Sequence, residues 1–322
     1  MKRSFLLFVL LTFTILTLVA CGDGQSDAST DLEGKNEGSL RFAFLPNTQN
    51  NTFQTAMNET YEKLAKEHGY GYTMLDPDYD LNKQLNQMSD ASNQDFDAVF
   101  VIPVDSSGIR MGLQQFKDRG IPVFNVDTAV FEEDRDLVES IVATDAYMAG
   151  ELMGQQMAED YPDGAKIAIL DFPSNESCIL RVEGFLAGLG DNLEKFEIVA
   201  QQDGKAALDV SLPIAEDIIQ ANPDLDAFFA INDPSALGVA AAVGSSGKDI
   251  DVYSIDASPE GKEALLDGSF TAVSAQVPVQ IAEESFKAAV ELVNGGEVEK
   301  EIYLPSHIVT KEMAEETAGE WQ

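Results

Sequence analysis

Short apolar runs recur along this chain, separated by amphipathic stretches of a dozen or more residues, and that alternation restricts it to an α/β architecture. The runs at residues 40–45, 70–75, 98–102, 122–126, 166–170, 227–231 and 252–255 have the length of strands and the near-continuous apolar character of sheets covered on both faces. They read as buried strands of parallel sheets, and the stretches between them as the covering helices. One such helix is expected over residues 52–67, closing at His68-Gly69, where a basic side chain and a glycine suit a helix C-terminus. The runs outnumber the strands of one comfortable sheet, and the series restarts at Lys166 after an acidic connection at residues 132–136. Two similar doubly wound lobes are the expected result.

The N-terminus carries a different instruction. Met1-Lys2-Arg3 precedes an almost unbroken apolar run, residues 5–19, which stops at Leu18-Val19-Ala20-Cys21-Gly22. The run is too short and wrongly flanked for a stable membrane span, so it reads as an export signal. Leu-Val-Ala-Cys resembles a bacterial lipobox, which implies that Cys21 becomes the lipid-carrying first residue of the mature chain. Residues 1–20 are then the signal peptide. Residues 21–38, rich in Gly, Asp, Ser, Asn and Glu, cannot bury enough surface to fold and form a flexible tether. The folded body is expected outside the cytoplasm, lipid-anchored to the outer face of the cell membrane.

Charge and cysteine content narrow the partners. Twenty Lys and Arg stand against 56 Asp and Glu, a net charge of −36, so nucleic acid and anionic headgroups are repelled. The acidity is spread along the chain, as on a soluble surface suited to salty or alkaline surroundings. With Cys21 lipidated only Cys178 remains, so no internal disulfide supports the fold.

Several chemistries are excluded by spacing. Gly244-Ser245-Ser246-Gly247-Lys248 lacks the flanks of a phosphate-binding loop and reads as a polar turn. Residues 184–190 space their glycines wrongly for a dinucleotide fingerprint and suit helix packing. His68 and His307, the only histidines, have no partners at metal-ligand spacing, and no serine elbow is present. Residues 76–82 alternate oxygen ligands like the start of a calcium loop. Leu81 replaces the turn glycine and Gln87 the bidentate Glu, however, so a solvated loop capping the next helix is favoured. No cofactor or metal is expected.

In open α/β sheets ligands bind beyond the carboxyl ends of the strands. There this chain places Asn47, Asn51, Phe53, Gln54, Asp127, Asn232, Asp256 and Gln276. Carboxylates accept hydrogen bonds from vicinal hydroxyls, amides donate and accept, and an aromatic face covers C–H surface. The set suits a small neutral polyhydroxylated ligand, although any one of these residues can instead cap a following helix.

The same residues carry a resemblance. Asn50-Asn51-Thr52-Phe53, Ile102-Pro103-Val104-Asp105-Ser106, Arg181-Val182-Glu183-Gly184-Phe185, Ile231-Asn232-Asp233 with Ala236-Leu237-Gly238, and Ala275-Gln276 occur in the order seen in ribose-type periplasmic binding proteins. The chain resembles that family over residues 39–310. The resemblance implies two Rossmann-like lobes, residues 39–144 with 277–305 and residues 145–276 with 306–322. Three crossovers join them, near residues 143–145, 276–278 and 305–307. It implies no catalysis, a monomer closing over a sugar or polyol, and an ABC-transporter permease as the partner that receives the ligand. Asn47, Asn51, Phe53, Asp127, Asn232, Asp256 and Gln276 are the implied lining residues. Three positions depart from the family pattern. Thr128 and Ile179 stand where relatives place arginines, so the guanidinium grip is expected to be missing. The segment Gly204-Lys205-Ala206-Ala207 lacks a common aromatic wall, and Gln54 replaces a second one. A wider or more apolar pocket is expected, favouring a hexose, cyclitol, other polyol or modified sugar over ribose. Two other roles use the same residues: a receptor signalling to a chemoreceptor or sensor kinase, and an extracellular glycoside-acting enzyme with Asp127 and Asp256 as an acid–base pair. A DNA-binding regulator of related fold is disfavoured, because an export signal stands where a helix-turn-helix would be.

Overall fold

A computed structural model describes residues 39–321; the expected signal peptide, Cys21 and the tether lie outside the described residues. The first lobe opens with β1 (Arg41–Leu45), α1 (Thr52–His68), β2 (Gly71–Met74), α2 (Leu81–Ser92), β3 (Ala98–Val101), α3 (Arg110–Arg119), β4 (Val123–Val126) and β5 (Ser140–Thr144). The chain then enters the second lobe through α4 (Ala146–Asp160), β6 (Lys166–Asp171), α5 (Glu176–Gly188), β7 (Glu197–Asp203), α6 (Leu208–Ala221) and β8 (Ala227–Ala230). That lobe continues through α7 (Asp233–Ser246), β9 (Asp251–Asp256), α8 (Pro259–Asp267) and β10 (Ala272–Ala275). Helix α9 (Pro278–Val293) and β11 (Glu301–Leu304) return to the first lobe, and α10 (Lys311–Glu316) packs back on α8.

Both sheets are parallel throughout. Their strand orders are β11-β5-β4-β3-β1-β2 and β10-β9-β8-β6-β7. Numbered within its own lobe, each contains the doubly wound order 2-1-3-4-5, so the fourth strand of one lobe, β4, corresponds to β9 of the other. Successive side chains point to opposite faces, and each face meets helices. Phe42 and Phe44 enter one core while Ala43 and Leu45 enter another, and Ile167 and Ile169 divide from Ala168 and Leu170 in the same way. This two-sided burial is why the strands read as continuous apolar runs.

The expected α1 is present. Its N-cap Asn51 accepts from the Phe53 N–H at 2.8 Å, and its end is closed by Gly69 at φ 70°. Residues Glu132–Leu137 form a 3₁₀ turn inside the first lobe, β5 then extends its sheet beside β4, and the chain crosses to the second lobe after Thr144.

Glycines weld α4 to α5, as the spacing at residues 184–190 suggests. A Cβ on Gly150 would stand 2.0 Å from Arg181 O, and one on Gly184 2.0 Å from Tyr147 O. The backbones therefore touch, which fixes where α5 projects Arg181. Among the described residues no helix is long and apolar enough to cross a membrane.

Candidate ligand-binding site

The cleft between the carboxyl ends of the two sheets is built around a pair of equivalent aspartates. Asp127 follows β4 and Asp256 ends β9, each at the tip of its lobe's fourth strand, and both have positive φ, 62° and 131°. Such a backbone is costly for a residue with a side chain and persists only where its surroundings hold it. Around Asp127 the brace is buried Asn125, whose Nδ2 donates to Val101 O (3.1 Å) and Thr128 O (2.8 Å) while its Oδ1 accepts from Val130 N. At Asp256, Gln276 supplies the equivalent hold. Its Nε2 donates to Oδ1 at 2.7 Å, and its N–H donates to Asp256 O at 2.8 Å.

Nine of the ten residues expected to contact ligand line one cavity: Asn47, Asn51, Phe53, Gln54, Asp127, Thr128, Asn232, Asp256 and Gln276. Ile179 does not. Helix α5 turns by about 100° per residue, so Cys178 and Arg181, three apart, face the cavity and Ile179 points away from it. The expected loss of the guanidinium is corrected by the same geometry. Arg181 lines the cavity with 5% of its surface exposed, donates from Nη1 to Ile231 O (2.8 Å) and lies 3.6 Å from Asp256 Oδ1. Its buried Nε has no acceptor among the described residues.

The cavity between these residues is small. It encloses about 50 Å³, well below the ~300–1,000 Å³ of common ligand sites. Short Thr128 lets the opposite lobe approach. Its Oγ1 lies 3.2 Å from Asn175 Nδ2 and 3.3 Å from Ser177 Oγ, both across the cleft. Aromatic walls are restored from unexpected places, by Tyr79 in the loop before α2 and Phe172 after β6, while Ala206 occupies the position that lacks an aromatic. Tyr79 sits in the loop expected to cap a helix. That cap is also present, since Asp80 Oδ1 accepts from Lys83 N at 3.0 Å. Asn175, Ser177 and Arg181 complete the lining missed from sequence, and Cys178, which the sequence allows either at the cleft edge or in helix packing, lines the cavity too. Inspecting the residues that follow the apolar runs at 70–75 and 166–170 would have found Tyr79, Phe172 and Asn175.

Capping and lining turn out to be compatible. Asn51, Asn175 and Asn232 each use Oδ1 to cap a helix, α1, α5 and α7, and all three line the cavity. Gln54 and Asn47 hold each other, Gln54 Nε2 donating to Asn47 Oδ1 while its Oε1 accepts from Asn47 N (2.9 Å) and Thr48 N (3.2 Å).

Electrostatically the cavity is close to balanced. Burial pushes the Asp127 carboxyl up to about 7; Arg181 opposes that rise and Asp256 adds to it. Burial also raises Asp256, again opposed by Arg181, and raises neighbouring Asp233. Asp233 accepts from Ser254 Oγ, Ser258 N and Ser258 Oγ at 2.6–2.7 Å and so supports the loop after β9 without lining the cavity. The Cys178 thiol, pushed to about 12 by burial, stays protonated and serves as a packing surface. One guanidinium facing two carboxylates that burial pushes upward suits a neutral, hydroxyl-rich ligand.

Comparison with known proteins agrees with this geometry. The model of the periplasmic binding protein domain matches residues 42–297. The ribose import binding protein of Bacillus subtilis is 30% identical over 304 residues, covering 94% of this chain and 98% of that protein. A Mycobacterium smegmatis protein solved with β-D-fucofuranose is 26% identical, with a TM-score of 0.82 over 87% of this chain and 94% of its own. The Caulobacter myo-inositol binding protein, solved with myo-inositol, is 26% identical, with a TM-score of 0.81 over 87% and 96%. With a family model spanning most of the described residues and a relative matched along nearly its whole length, this chain belongs to the periplasmic binding protein family, in its ribose-binding-like type I branch.

Proposed function

We propose that this protein is the extracytoplasmic solute-binding component of an ABC importer, tethered to the membrane through a lipid on Cys21, and that it captures a neutral sugar or sugar-like polyol. The observation that carries the reading is the aspartate pair. Asp127 and Asp256 project from equivalent strand tips of two lobes into one cavity that also holds Arg181, three amide caps and the rings of Phe53, Tyr79 and Phe172. A ligand whose hydroxyls donate to both aspartates is bonded to both lobes at once, and only such differential affinity drives closure. The lobes, residues 39–144 with 277–305 and residues 145–276 with 306–322, act as the moving bodies, flexing where the three connections cross. The small cavity describes the closed form. Opening admits the solute, and the permease reads the closed form.

The ligand class is tested by thermal unfolding with millimolar D-ribose, D-allose, D-fructose, D-fucose and myo-inositol, with a sugar phosphate as a charged control. A ligand at about a hundred times its dissociation constant adds ~2.7 kcal/mol. A rise in midpoint with a neutral polyol and none with the phosphate is expected. No rise with any neutral member overturns the sugar reading.

A further inference from the structure

The segment after α10 leaves the second lobe and ends against the first. Helix α10, from which it leads, is fixed in the second lobe, where Ala314 is buried with Leu265 and Val273. Lys262 of α8, fully buried, donates from Nζ to Thr317 O (3.1 Å), Thr317 Oγ1 (2.8 Å) and Glu320 O (2.7 Å). All three donors of the ammonium are taken up by residues 317–320. A buried charge is tolerated only with such partners, so the lysine fixes the path of the segment. One residue later Trp321 packs edge-to-face on Phe53, with ring centroids 5.5 Å apart and planes at 86°, and joins the core of the first lobe. Phe53 is 4% exposed and lines the ligand cavity.

We infer that residues 317–321 form a strap across the lobes and that Trp321 is a positioning residue for the cavity, holding the Phe53 ring toward the ligand in the closed state. The inference rests on the binding reading above. Separating the lobes carries Lys262 and Phe53 apart, so the strap cannot keep both contacts. Three charge-assisted hydrogen bonds outweigh one ring pair, and the Trp321–Phe53 contact is the one that parts. Closure reseats it. Ligand binding and the ring contact therefore favour each other, and by reciprocity loss of one weakens the other.

Trp321 is the chain's single tryptophan, so its emission reports the contact directly. Wild type, Trp321→Phe and Trp321→Ala are titrated by calorimetry with the five neutral solutes named above, and emission is followed alongside. The strap predicts a blue shift and weaker acrylamide quenching of Trp321 when a sugar binds. It also predicts about 10-fold weaker affinity in Trp321→Ala and substantial recovery in Trp321→Phe, tenfold being ~1.4 kcal/mol and within the range of an aromatic pair. Equal affinity in all three proteins overturns the inference. Small-angle scattering of the ligand-free proteins decides it without a ligand: Trp321→Ala should have the larger radius of gyration, and equal radii overturn the strap. If no sugar binds wild type, the binding reading falls and the scattering comparison still judges the strap.

Discussion

Replacing Asp127 by Asn should make the ligand-free protein more stable while abolishing capture of its ligand. The carboxyl is sunk between the lobes, and burial is the main reason its protonation midpoint stands near 7 instead of 3.8. A rise of about three pH decades corresponds to ~4 kcal/mol against the charged form. Asp127 is only half-buried by surface area, so contact with water reduces this to roughly 2–4 kcal/mol. The sign follows from proton binding. Between pH 3.8 and 7 the folded state holds the proton more tightly than the unfolded chain, so the Asp127 contribution is full below pH 3.8 and is lost as pH rises through 7. Asn, neutral at every pH, escapes that loss. Urea unfolding of both proteins from pH 5 to 8.5 isolates the effect, because other titrating groups are common to both. The stability difference should be small at pH 5, grow toward pH 7 and level off above it, with Asp127→Asn ahead by about 2–4 kcal/mol. A flat difference, or a variant no more stable at pH 8, would refute the reasoning and mean that the carboxyl is solvated in an open cleft. A sugar hydroxyl donating to Asp127 prefers the anion, so wild-type affinity should also fall as pH drops below 7.

Two further outcomes test the frame around this group. Arg181→Gln removes the guanidinium from the cavity and should cost about 3 kcal/mol at pH 8. The loss should shrink at pH 5, where Asp127, pushed up to about 7 by burial, has taken up its proton; equal loss at both pH values in urea unfolding would show that Arg181 acts by packing alone. Gly184→Ala places a methyl 2.0 Å from Tyr147 O and should cost about 1–3 kcal/mol by forcing α4 and α5 apart. An unchanged urea midpoint would show that the two helices are not held in backbone contact.

The two-lobed α/β plan was legible because parallel strands leave dense apolar runs, and seven of the eleven described strands announce themselves that way, six of them largely buried and one, β2, a half-buried edge strand. The others differ physically. Strand β7, at a sheet edge, exposes Glu197, Ile198, Gln201 and Gln202, and β11, at the other sheet's edge, alternates exposed and half-buried residues. Strands β5 and β10 are buried but partly built from Ala, Ser and Thr, which breaks the apolar run. In the site, residues directly after a recognised strand were readable, as Asp127 and Asn232 illustrate. Tyr79 was obscured because its loop also caps α2, and Arg181 because a side chain's facing depends on helix phase, which the glycine contact with α4 sets. Trp321 carried no local signal at all. Its partner Phe53 is 268 residues away along the chain, and only the tertiary path of the strap brings the rings together.

The helices that begin at the cleft have a consequence for how solutes are sorted before they are held. Helices α1, α5 and α7 all present capped N-termini to the cavity, and such termini carry partial positive charge whose influence fades within about one turn. The chain as a whole carries −36, and that field extends about one Debye length, ~8 Å in physiological salt. An approaching molecule meets the two fields in sequence. On the proposed reading, that field disfavours anionic metabolites at the outer range, while an uncharged solute crosses it unaffected and is then met by dipoles and hydrogen bonds. Discrimination is thereby divided by distance: charge is judged during encounter and hydroxyl pattern after it.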